Sequence, residues 1–355
     1  MNYKVYIELD KKALTHNLAE IRRKTTAPVW AVVKSNAYGH GLIDFSRLAD
    51  KAGVDGFCVD SVFEGVKLRS DGVKKPILVL GPTFSHHLEL ATKNKLIITL
   101  TSHPALTELI RSKHKPEFHI KLDTGMNRQG FKPNELDQLI KKLIKSNLTP
   151  IGVYSHLADA KNLKSNFTLK QKKTFDESLE KLKQKFPSIN SHLGSSITTL
   201  SKKGFNYDLV RVGTALYGVT PVEKYKANLK PVLSLYSVIS DVKTLEKGEF
   251  VGYSLTYKAK AKTRIAIVPV GYWHGVNRDL SNKGRVYIQN KRIDIIGIIS
   301  MDLLTINLKN IKAKRNTRVE IIGKNQSVWD LAKKLNTSPV EFLTRINPLI
   351  YKNVK

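Results

Sequence analysis

The run Ala31-Val32-Val33-Lys34-Ser35-Asn36-Ala37-Tyr38-Gly39-His40-Gly41 places one amine at the end of an apolar, mostly β-branched stretch. A polar, glycine-punctuated turn follows at once. That order describes a buried strand delivering a cation to the carboxyl end of a sheet, beside a loop able to hold an anion. A neutral amine in such a place can act as a covalent nucleophile or a proton carrier. Taken alone, Lys34 reads equally well as a surface lysine that merely ends a strand. Three further strand-like runs close on groups that titrate or carry charge: Lys121 and Asp123, His156, and Arg211. Each could be a polar residue marking a strand's exit into solvent. Four such ends on one rim would instead converge on one mouth.

The elements that must position them alternate through the first two-thirds of the chain. Apolar strand-like runs lie at Pro28–Lys34, Gly56–Asp60, Pro76–Gly81, Leu96–Leu100, Glu117–Asp123, Pro150–His156, Ser188–Leu193 and Tyr207–Val212. Helical periodicity separates them at Leu42–Lys51, Val62–Ser70, His87–Lys93, Pro104–Lys113, Glu135–Lys145 and Leu169–Lys185. Strands alternating with helices indicate an α/β fold with a parallel sheet, and a count of eight favours a closed (β/α)8 TIM-like barrel. An open doubly wound sheet would give a similar alternation. Near Gly218-Val219-Thr220-Pro221 the pattern changes to extended segments at Val232–Ile239, Phe250–Tyr257, Arg264–Val270, Arg285–Ile288, Ile293–Ile299 and Leu303–Leu308. Only Val328–Leu335 reads as a later helix, with Ser327 as its N-cap. The expected organisation is a barrel over 1–224 and a mostly-β C-terminal domain over 225–355.

Composition narrows the class. With 355 residues, 41% of them hydrophobic, the chain can bury a sizeable core. No apolar stretch reaches the roughly 18 residues of a membrane span, and the N-terminus lacks a secretory signal's apolar segment. The single cysteine, Cys58, lies in an apolar run and reads as a reduced core thiol. A cytoplasmic protein is expected. The net charge of +30 could suit nucleic acid. The lysines are nevertheless spread over many helical polar faces, so a solvated surface is expected rather than a specific nucleic-acid or membrane site. His86, His87, His103, His114 and His119 lack metal-ligand spacing, and no metal is expected.

The segment Val33–Gly41 resembles the cofactor-lysine signature of bacterial alanine racemases. Further segments resemble the same family in order: Lys121–Gly130, Tyr154–Ala158, Val210–Gly218, Gly252–Tyr257 and Ser300-Met301-Asp302. The resemblance implies a homodimer dependent on pyridoxal 5'-phosphate that interconverts L- and D-alanine, the latter for peptidoglycan. It assigns Lys34 as covalent anchor and base for one face, and Tyr253, reaching in from the partner subunit, as base for the other. It places the cofactor phosphate on Tyr38, Ser196 and the N–H groups of Gly213 and Thr214. Arg211 would face the pyridine nitrogen, where a donor-only cation keeps that nitrogen unprotonated. His156 would lie beside the ring and link Arg211 to the catalytic tyrosine. Arg128, assisted by the N–H of Met301, would hold the substrate carboxylate. Lys121 matches a lysine that is carbamylated in some members and positions Arg128. Without the family, Tyr257 is as good a candidate base as Tyr253.

The chain departs from the family pattern at Gly271-Tyr272-Trp273-His274-Gly275, where relatives usually carry Ala-Asp at the third and fourth positions. It departs again at Ser195, where Asn is common, and near Tyr351, to which no phosphate role is assigned. A preference for serine or a basic amino acid, a decarboxylase of related architecture, a cofactor carrier and a polyanion-binding protein are the competing readings. The β domain containing Tyr253 and Met301 argues against the carrier, and the lysine motif against the decarboxylase.

Overall fold

The computed structural model describes residues 3–201, 204–220 and 228–355. By internal contacts the chain groups into two units. One comprises Ala13–Ala37 with Phe45–Lys230; the other joins the chain up to Lys12, Tyr38–Asp44 and Pro231–Lys355. The expected boundary at 224/225 lies outside the described residues.

In order along the chain, β1 (Val5–Leu9) is followed by eight short strands. These are β2 (Val29–Val32), β3 (Gly56–Val59), β4 (Ile77–Pro82), β5 (Ile97–Leu100), β6 (Phe118–Lys121), β7 (Gly152–Tyr154), β8 (Asn190–His192) and β9 (Val210–Val212). They form one parallel sheet in the order β8-β7-β6-β5-β4-β3-β2-β9. Bonds from Asp208 N to Ser191 O (2.9 Å) and from Arg211 N to Gly194 O (3.1 Å) join its two ends. The expected barrel is therefore present, with every expected strand, and the open-sheet alternative is excluded. Every residue of β2, β3, β5 and β6 is buried. A parallel strand covered on both faces has no solvent side, which is why these runs read as continuous rather than alternating. The helices obey their amphipathic patterns: Leu136, Leu139, Ile140 and Leu143 line the buried face of Leu136–Lys145.

The second unit holds a nine-stranded mixed sheet, in the order β11-β14-β17-β16-β15-β18-β10-β1-β19, and a two-stranded ribbon, β12-β13. The strands are β10 (Leu233–Val238), β11 (Asp241–Leu245), β12 (Phe250–Val251), β13 (Tyr257–Lys258), β14 (Thr263–Val268), β15 (Arg285–Ile288), β16 (Lys291–Ile296), β17 (Leu304–Asn307), β18 (Arg318–Ile322) and β19 (Tyr351–Val354). Here burial alternates, as in β1 and β17, because one face is solvated. Strand β1 pairs antiparallel with β10 (Ile7 opposite Leu235) and parallel with β19 (Ile7 opposite Lys352).

Two expectations need correction. The run Phe250–Tyr257 is not one strand: Gly252, Ser254 and Leu255 take positive φ (70°, 56° and 50°), which breaks it into β12, a one-turn 3-10 helix and β13. The later helix Val328–Lys334, capped by Ser327 as expected, has a companion at Pro339–Thr344. With six residues the latter is too short for periodicity to reveal, although its Ser338 cap and Pro339 start are helix-initiation signals. No helix among the described residues is long and apolar enough to cross a membrane.

Candidate active site

Lys34 stands two residues beyond the end of β2. The chain then makes a left-handed turn: Ser35, Asn36, Ala37 and Tyr38 all have φ between 50° and 55°. Four successive non-glycine residues in this region store strain of a kind that persists only where surrounding structure enforces it. Gly39 (φ 84°) completes the turn, and a Cβ there would lie 2.0 Å from the carbonyl oxygen of Leu343. Lys34 Nζ donates to Asp60 Oδ1 at 3.1 Å, and both side chains remain partly open to solvent. Tyr38 belongs to the second unit, and the carbonyl of Tyr38 lies 3.2 Å from His40 Nδ1.

The barrel interior is polar where β6, β7, β8 and β9 meet. Register places Lys121 beside Tyr154 and Tyr154 beside His192. Arg211, on β9, is buried. Its Nη2 donates to the Ser155 carbonyl at 2.8 Å, and its Nη1 reaches both the carbonyl (3.0 Å) and the ring Nδ1 of His192. The guanidinium lies 4.7 Å from the Tyr154 ring centroid, and Lys121 Nζ lies 5.2 Å from the same centroid on its own approach. Tyr154 is fixed at its far end, where its hydroxyl lies 3.1 Å from Thr99 Oγ1.

These cations shape the protonation of their surroundings. Burial and the charges of Arg211, Arg128 and Lys34 push the Lys121 amine down to about 8. Burial first, then Arg211, Lys121, Arg128 and Lys34, push His156 down to about 3, so its imidazole is neutral. Among the described residues no salt bridge reaches Arg211 or Lys121. The expected side-chain link from Arg211 to His156 is replaced by bonds to His192 and the Ser155 carbonyl. Sequence reading passed over His192 and dismissed His119. A signal was present, since His119 and Lys121 are two apart on one strand and so share a face.

Arg128 is exposed on a loop pinned at its neck by bonds from Asp123 N to Phe131 O (2.8 Å) and from Phe131 N to Lys121 O (2.9 Å). Asp123 Oδ1 accepts the N–H groups of Gly125 and Asn127, both at 3.0 Å. Its carboxylate therefore builds the loop that presents Arg128. On the far side of the barrel, the buried Ser196 Oγ accepts from Gly213 N–H (3.0 Å) and Ala215 N–H (3.2 Å). With both lone pairs engaged, its hydroxyl hydrogen is left free to donate. Thr214 lies between these two N–H groups.

Tyr253 and Met301 belong to the second unit. Tyr253 is 69% exposed at the turn between β12 and β13, and Met301 is 52% exposed. Tyr257 differs: it packs against the Val251, Ile265 and Ile296 cluster, and its hydroxyl accepts from Asn307 at 3.4 Å. Tyr272 and Trp273 are tied to the Met301 turn through N–H bonds to Ser300 O (3.1 Å) and Met301 O (3.0 Å). The unusual His274 is buried, and its Nδ1 accepts the Gly271 N–H at 3.2 Å. The imidazole thus serves as the acceptor that an acidic side chain could also supply in that place.

Comparison with known proteins agrees with this fold. The sequence model for "Alanine racemase, N-terminal domain" matches residues 9–221, and that for "Alanine racemase, C-terminal domain" matches 232–354. An alanine racemase from a Nostoc species is 35% identical over 96% of this chain and 93% of its own. The crystal structure of alanine racemase from Bacillus anthracis with bound L-Ala-P superposes with a TM-score of 0.94 at 30% identity, covering 100% of this chain and 96% of that one. A Bartonella henselae alanine racemase, described with covalently bound pyridoxal phosphate, gives 0.89 at 27% identity over 99% and 100% of the two chains. With both domain models matched in order across nearly its whole length, the chain belongs to the alanine racemase family.

Proposed function

We propose that this protein interconverts L- and D-alanine with pyridoxal phosphate held at the carboxyl end of the barrel. The observation that carries the reading is a buried pair of cations, Arg211 and Lys121, with no salt-bridged carboxylate among the described residues. Unpaired buried charge is costly, and an anionic ligand offsets that cost. The donor set fits pyridoxal phosphate: a lysine amine at a strand end, the remaining hydroxyl hydrogen of Ser196, and a guanidinium that only donates. When bound, the cofactor would acidify the Cα–H of an attached amino acid by drawing electrons toward its ring.

The protein's own groups supply the rest. Lys34 would anchor the cofactor's aldehyde carbon, and Tyr38, Ser196, Gly213 and Thr214 would each donate to its phosphate. Arg211 would donate toward the ring nitrogen and keep it from taking a proton, and the neutral imidazole of His156 would serve as a further neighbour of the cofactor. Arg128 and the Met301 N–H fix the substrate carboxylate. Lys34 Nζ would carry the α-proton on one face and Tyr253 Oη on the other. Tyr253 comes from a second copy of the chain, a reading supported by its exposure and by that of Leu255 on the same turn. Tyr257 does not serve, because its ring and hydroxyl are committed to the core of the β unit.

The test is L-alanine in deuterated water. Wild-type holoenzyme should exchange the α-proton with inversion, and borohydride reduction should leave a pyridoxyl group on Lys34. Lys34→Ala should lose both. Tyr253→Phe should bind cofactor normally yet exchange at least about a hundredfold more slowly. Exchange by Lys34→Ala at the wild-type rate would overturn the proposal.

A further inference from the structure

Beneath Arg211, the proton positions of a buried polar chain are dictated by which groups can donate. A guanidinium carries only donors. Nδ1 of His192, facing Arg211 Nη1, is therefore the bare, accepting nitrogen, and the ring hydrogen sits on Nε2. That Nε2 lies 2.8 Å from Nδ1 of His119, which must accept in turn and carry its own hydrogen on Nε2. Both rings are buried among neutral or cationic groups. Burial and the charge of Arg211 hold His119 down to about 3 and His192 well below its ordinary value.

The surroundings leave the two rings one arrangement. Tyr154 stacks on His192 with centroids 4.8 Å apart and planes 14° apart. Trp30 lies against His119 at 6.0 Å. Gly152, beside His119 in the register, makes the room: a Cβ there would fall 2.5 Å from two atoms of the His119 ring. A carboxylate in place of His192 would hold the guanidinium equally well but would neutralise it. A neutral acceptor fixes Arg211 while leaving its positive charge uncompensated.

We propose that His192 and His119 are positioning residues, a neutral relay with one tautomer at each ring, which locks Arg211 in place and preserves its full charge for the bound ligand. The tautomers follow from the protein's own hydrogen bonds. The consequence for the cofactor's ring nitrogen rests on the role proposed for Arg211 above.

Two measurements test this. In cofactor-free protein labelled with 15N-histidine, NMR should show both rings neutral with the hydrogen on Nε2 from pH 6 to 9. A proton on His192 Nδ1, or a doubly protonated His192, would overturn the relay. In the second, pyridoxal phosphate is titrated into variants and followed by absorbance. His192→Leu, which removes the acceptor, should weaken binding about tenfold or more and move the absorbance maximum. His192→Asn, which keeps a neutral oxygen acceptor near the Nδ1 position, should stay within about threefold of wild type with an unmoved spectrum. Identical affinity and spectrum in His192→Leu and wild type would also overturn it. The expected tautomers in a protein that never takes up pyridoxal phosphate would sink the cofactor reading and leave the relay intact.

Discussion

At the scale of single residues, the site depends on cations kept in a place that disfavours them. Lys121 shows the consequence for stability. Its folded value of about 8 lies below the ordinary lysine value of 10.5, so between these two pH values the unfolded chain binds more protons than the native one. Stability must therefore rise with pH across this window, and the penalty is fully present below about pH 8. In carbonate-free buffer, urea unfolding from pH 7.5 to 10.5 should show wild type gaining on Lys121→Met, at a slope of up to about 1.4 kcal/mol per pH unit. Parallel pH profiles for the two proteins would contradict the assigned cause. The amine's neutral fraction near pH 8 is also what reaction with carbon dioxide requires. Lys34, Arg211 and the rim were legible in sequence because charged residues at the ends of apolar runs stand out. His192 was not, because its role depends on Arg211, which approaches from another strand.

At the scale of elements, the turn after β2 sets the course of the backbone from Lys34 to Tyr38. It was visible in sequence only as a polar, glycine-rich stretch. Its left-handed course through Ser35, Asn36 and Ala37 runs against local preference, and bonds from Ala37 N to Val33 O (2.9 Å) and from Asn36 N to Glu64 Oε1 (3.3 Å), with close packing at Gly39, hold it. Gly39→Ala would meet a backbone oxygen at 2.0 Å and adopt an unfavourable φ of 84°. It should cost about 3 kcal/mol or more, by the sum of left-handed strain and overpacking. Gly53 is the control: φ is 96° but nothing lies within 4 Å of an added Cβ. Gly53→Ala should cost only about 1 kcal/mol. Chemical denaturation of the two variants separates close packing from backbone strain. The β12–β13 ribbon makes the same point, since a pattern of alternating residues at Phe250–Tyr257 does not reveal the turn that turns Tyr253 outward and Tyr257 inward.

At the scale of the whole molecule, the second unit presents Tyr253, Leu255, Tyr272, Trp273, Met301 and Leu303 to solvent. Exposed apolar side chains gathered on hydrogen-bonded turns are typical of a surface that another protein covers. A second copy of the chain is the occupant that the proposed function requires. Trp273→Glu should shift sedimentation from dimer to monomer and lower racemisation at least about tenfold at dilute protein, with activity recovering as concentration rises. A variant that stays dimeric and fully active would remove Trp273 from the interface. The +30 charge belongs to this scale too: it is distributed over helical faces and describes the surface rather than the chemistry.

Sequence alone determined the alternation of strands and helices, the count of eight, the change to a β-rich half and the residues at the strand ends. These are local signals: hydrophobic period, glycine and proline punctuation, and charge at the end of an apolar run. Tertiary structure decided what depends on residues distant in the chain. Strand β1 completes a sheet whose other members begin more than two hundred residues later, because its edge partners β10 and β19 are brought together only by folding. In the same way, one arginine and two histidines from three strands acquire fixed proton positions, because a group that can only donate forces each neighbour in turn to accept.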